Sequence, residues 1–106
     1  MKYLLMIATD ESEVSDVQGC GEWAREMRAR GVLQEVTGLR PTSDATTVRV
    51  RGAEVLLSDG PFAETKDQIG GAALIECADL DEAIDIASRH PAAALGAIEV
   101  RPLMVQ

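Results

Sequence analysis

Aromatic side chains are nearly missing: one Trp, one Tyr and one Phe make up 3% of 106 residues. Ring stacks cannot build such a core, which falls to Ala, Val, Leu, Ile and Met. Histidine is limited to His90 and cysteine to Cys20 and Cys77. These cannot supply the about four closely spaced ligands of a closed zinc site, so no metal is expected. No glycine-rich phosphate fingerprint is present either, and no cofactor is expected. The two cysteines read as small buried thiols in a reducing compartment. Positive charge is also short: 10 Lys and Arg face 18 Asp and Glu, a net charge of -8. A negative field repels phosphate backbones and anionic lipid, which excludes nucleic acid and membrane as partners. No stretch approaches the about 20 apolar residues that span a bilayer. The apolar run of MKYLLMIATDE is too short for a signal-peptide core, and acids follow it at once. The expectation is one cytoplasmic domain over residues 1–106.

What is present is regular alternation. KYLLMIA (2–8) reads as a strand with Tyr3, Leu5 and Ile7 on one face and Leu4, Met6 and Ala8 on the other. Both faces are apolar, so both need cover. The spacing predicts further strands near 32–39, 46–51, 54–58, 69–77 and 97–101, and helices near 14–30 and 80–90. Ser15 with Gln18 fits a capping box for the first helix, and Asp79 with Glu82 fits one for the second. Gly52-Ala53 suits a two-residue hairpin turn, Pro91 stops the second helix near His90, and PAAAL (91–95) is read as a connector. The order β-α-β, hairpin, β-α-β is the split βαβ, ferredoxin-like pattern of an α+β fold. Both helices then cover one face of an antiparallel sheet. The bare face is apolar, which predicts a homodimer through the helix-free sheet face.

The most distinctive stretch is LLSDGPFAETKDQIGG (56–71). The string Asp59-Gly60-Pro61-Phe62-Ala63-Glu64-Thr65-Lys66, and the chain over 46–103 around it, resembles the DGPF branch of the YCII-related family. MKYLLMIATDE and Trp23 are similar to it more loosely. The resemblance implies a dimeric α+β barrel of ferredoxin-like subunits and no settled activity. Related members place a His and an Asp in a cleft and are suspected enzymes. Others are encoded beside sigma factors, which implies a regulatory protein partner as the alternative. The early histidine of those relatives is absent here, so that pair cannot be carried over, and Asp59 alone survives of it.

Asp59 is accordingly the catalytic candidate, as a carboxylate held on a rigid turn. Arg49, Gly60, Pro61, Phe62 and Lys66 are the ligand-binding candidates, lining a cleft near the loop for a small, anionic molecule. The bland reading of the same residues is a turn: Asp and Gly tolerate it, Pro fixes the next φ, and Phe62 tucks beneath as an anchor. Asp59 would hold that turn by side-chain bonds to the backbone. Gly70 and Gly71 read as a strand bulge, or as a place where a ligand nears the backbone. Arg49, Arg51 and Arg101 either solvate strand faces or line an anion site. His90 reads as an exposed, protonated imidazole favoured by the dipole at the helix C-terminus. Cys77 is expected mid-strand, buried and unreactive. Whether the chain is an enzyme at all is not legible.

Overall fold

The computed structural model describes residues 1–12 and 20–105. Its elements are β1 (Lys2–Thr9), α1 (Cys20–Ala29), β2 (Leu33–Gly38), β3 (Thr46–Arg51), β4 (Glu54–Asp59), β5 (Gln68–Glu76), α2 (Leu80–Ser88), α3 (Ala92–Leu95) and β6 (Ala97–Pro102). A four-stranded sheet runs β2-β5-β1-β6, with every neighbouring pair antiparallel, and β3-β4 form a separate hairpin. This is the ferredoxin-like α+β arrangement, with the hairpin inserted between β2 and β5. The Ser15–Gln18 capping box falls outside the described residues.

Alternation along β1 decides which face is covered. Tyr3 and Leu5 are buried, together with Ala73 and Ile75 on β5. They pack with Trp23, Ala24 and Met27 of α1 and Ala83, Ile86 and Ala87 of α2, so both helices lie on one face. Asp79 caps α2 by accepting from the Glu82 amide at 2.9 Å, and the Glu82 carboxylate accepts from the Ala78 amide at 2.9 Å. The two helices are joined where the Trp23 indole N–H donates to the Ile86 carbonyl at 2.9 Å. The stretch after Pro91 is helical where a plain connector was expected: Ala92–Leu95 form α3. Proline at a helix start costs nothing there, and three alanines propagate the turn.

The opposite face is mixed. Its rows read Arg101–Leu4–Leu74–Glu35 and Glu99–Met6–Ala72–Thr37 across β6, β1, β5 and β2. The central strands are apolar and the edge strands polar. The hairpin carries the more exposed apolar face: Val48 opposite Leu57 and Val50 opposite Val55, each between 56% and 68% exposed.

Candidate functional site

One cross-strand row on the helix-covered face departs from the core pattern. Leu5, Ala73 and Val36 are level with one another across β1, β5 and β2. Two residues further along, the level positions are Ile7, Gly71 and Gly38. Two glycines in register leave out side chains where α1 begins. The result is a cleft of about 590 Å³, whose lining includes Ile7, Thr9, Cys20, Trp23, Val36, Gly38, Leu39, Gly71 and His90. Next to it the β1–β5 register shifts between Ile7 and Ala8, leaving Gly70 as the extra residue. Gly70 and Gly71 thus form the bulge that their sequence suggested, and both line the cleft.

His90 is the polar group at the cleft. It was expected exposed and protonated; it is instead 4% exposed, and burial pushes its pKa below the ordinary value. Desolvation outweighs the helix dipole because the ring leaves water. Its Nδ1 accepts from the Ala92 amide at 3.0 Å. An amide can only donate, so in the neutral ring the proton sits on Nε2. The Trp23 ring packs edge-on against the imidazole, with centroids 4.8 Å apart at 67°. Thr9, at the end of β1, is 9% exposed and lines the same cleft. Among the described residues neither His90 Nε2 nor Thr9 Oγ1 has a hydrogen-bond partner, and neither atom is sealed from the cleft.

This arrangement donates hydrogen bonds better than it abstracts protons. Nε2 could act as a base only if the proton moved to Nδ1, where it would face the Ala92 N–H. A neutral imidazole N–H can instead polarise a carbonyl. Neither cysteine is in a disulfide. Cys77 is buried, and burial, then the nearby Glu82 carboxylate, hold its pKa above the ordinary thiol range. Cys20 is half-buried at the cleft.

The loop residues lie elsewhere. Pro61 and Lys66 line a smaller depression of about 290 Å³ with Asp10, Ser12, Thr42 and Glu64; Glu11 borders both hollows. Asp59, Gly60, Phe62 and Arg49 line neither. Phe62 is no buried anchor, at 80% exposed. The turn is held by Gly60 rather than by the Asp59 carboxylate. The Gly60 amide donates to the Ala45 carbonyl at 2.7 Å, and the Thr47 hydroxyl donates to the Gly60 carbonyl at 2.8 Å. Gly60 has φ 97°, which an L side chain resists. Arg49 is exposed on the hairpin opposite Leu56. Arg101 pairs with Glu99 at 2.9 Å. No Lys or Arg stands among the described lining residues of the main cleft.

Sequence reasoning did not bring His90, Trp23, Thr9 and Gly38 together, as this cleft does. One signal was available: His90 directly precedes Pro91 and an alanine run, so its ring can accept from the start of a helix as a capping side chain does. Residues 1–105 match the family described as YCII-related domain. The chain is also similar to an uncharacterised protein, R00369, of Rhizobium meliloti (strain 1021), at 38% identity, covering 97% of this chain and 92% of the relative. The chain therefore belongs to the YCII-related family.

Proposed function

We propose that this YCII-related chain is a small-molecule-binding domain whose ligand enters the cleft over the glycine row and is held by His90 and Thr9. One observation carries the reading: two polar residues, each at least nine-tenths buried, line an apolar cleft, and among the described residues His90 Nε2 and Thr9 Oγ1 have no hydrogen-bond partner. Both atoms open onto the cleft rather than being sealed in the core, so each can meet a group that arrives from outside. The volume lies in the range of small-molecule sites. A regulatory module acting on a protein partner, such as a sigma factor, is favoured less, because such a surface needs no polar pair inside a cleft.

A thermal-shift screen against a metabolite library tests it, run on the wild type and on Gly38→Val. A Cβ at Gly38 meets nothing within 4 Å, so valine fits the strand while its methyls occupy the cleft. A ligand at about a hundred times Kd stabilises by ~2.7 kcal/mol. Hits that shift the wild type and lose their shift in the variant support the reading; hits that persist in Gly38→Val place binding elsewhere.

The working unit in this reading is a homodimer. The chain exposes 7132 Å². A compact monomer of this mass exposes about 5,700 Å². The hairpin face and Phe62 are among the exposed apolar groups, and a second copy is the cover we propose for them.

A further inference from the structure

Resting on that reading of the cleft, we propose that its ligand is an uncharged, apolar-bodied molecule presenting a carbonyl or hydroxyl oxygen to His90 Nε2–H, and that carboxylates and phosphates are excluded.

The walls are apolar: Ile7, Val36, Leu39 and the Trp23 ring. The only charged side chain among the described lining residues is Glu11. Its Oε1 accepts from the Thr42 amide at 3.0 Å and its Oε2 from the Thr42 hydroxyl at 2.6 Å, so it is occupied as a strut. An anion entering here would lose its hydration and meet no cation in exchange. The sequence reinforces this. No Lys or Arg occurs between Lys2 and Arg25, a stretch holding Asp10, Glu11, Glu13, Asp16 and Glu22. An ammonium group fares no better at the polar anchor, because its N–H would face the Nε2–H of a neutral imidazole. What both His90 and Thr9 can satisfy is a neutral oxygen. This reverses the anionic ligand that the arginines and Lys66 had suggested, since none of those cations reaches the cleft.

Four probes of one shape separate the cases: acetophenone, benzoate, benzylamine and ethylbenzene. Each is titrated at neutral pH into the wild type, His90→Asn and Gly38→Val, following the indole N–H resonance of Trp23, the sole tryptophan. The expected order places acetophenone at least tenfold tighter than benzoate and benzylamine, with ethylbenzene weaker than acetophenone. In His90→Asn the amide oxygen can still accept from Ala92, but the Nε2–H is gone, so acetophenone should fall to the level of ethylbenzene. Benzoate or benzylamine binding as tightly as acetophenone, or no response to acetophenone at millimolar concentration, overturns the ligand class. Acetophenone binding that Gly38→Val leaves intact defeats instead the cleft reading on which the class rests.

Discussion

The imidazole of His90 is kept neutral from two directions. Burial disfavours its charged form, and the Ala92 amide occupies the nitrogen that would have to take the second proton. Its folded pKa therefore lies below the ordinary value of about 6.5. Between those two values the unfolded chain binds more protons than the folded one, so stability rises with pH across that window. The contribution is present above about pH 6.5 and is lost as acidification approaches the folded value. Urea midpoints measured from neutral to mildly acid pH should fall for the wild type. His90→Asn should flatten that part of the slope, because asparagine does not titrate. An unchanged slope in the variant would assign the effect to carboxylates. Phe62 gives the opposite lesson at the same scale. An exposed ring on a turn held by the Gly60 backbone stabilises the isolated fold little, however distinctive its sequence context.

At the scale of elements, the glycine row is where sheet geometry becomes a site. Gly38 and Gly71 face each other across β2 and β5, but a methyl group meets different surroundings at each. At Gly71 a Cβ would stand 3.0 Å from the Thr37 carbonyl oxygen and 3.8 Å from Ile7 Cδ1. Gly71→Ala should therefore push β2 from β5 and cost about 1–3 kcal/mol, as overpacking does. Gly38→Val should leave stability unchanged or raise it by up to about 1 kcal/mol, since glycine is a poor strand residue. Chemical denaturation of both variants reads the difference; equal losses would mean that Gly38 also has no room. This contrast explains what was legible in the sequence. The periodicity of KYLLMIA, the Asp79–Glu82 cap and the Gly52 turn are local signals, and local physics suffices to place β1, α2 and the hairpin. The cleft depends on strand register, which brings residues 7, 38 and 71 level, and no local pattern encodes that. His90 was misread for the same reason: its position after α2 was legible, while its burial against Trp23 is a tertiary fact.

The whole molecule has the proportions of an unfinished body. Its radius of gyration is 15.5 Å and its extents are 47 × 35 × 18 Å. A compact domain of this length would have a radius near 13 Å. The plate is thin because helices cover only one face of the sheet, and long because the β3-β4 hairpin stands apart from it. A lone two-stranded hairpin is marginal in water, and one with four exposed apolar side chains on a face needs a surface to lie against. The surface in excess of a compact monomer is roughly 1,400 Å², more than the ~800 Å² that each partner of a standard interface buries. A second copy of the chain can supply the cover symmetrically, each hairpin and each half-apolar sheet face meeting its counterpart. Light scattering at micromolar concentration should then give twice the 11.3 kDa protomer mass. Val50→Lys combined with Leu57→Lys places two charges on the hairpin's apolar face. Both positions are more than half exposed in the single chain, so a monomeric protein would tolerate them with little loss of stability. In a dimer they would be buried without partners, and the assembly should dissociate while far-ultraviolet circular dichroism keeps the sheet signal. A monomeric mass for the wild type would refute the dimer outright. A double-lysine variant that dimerises as tightly as the wild type would remove the hairpin from the interface and leave the helix-free sheet face to carry it alone.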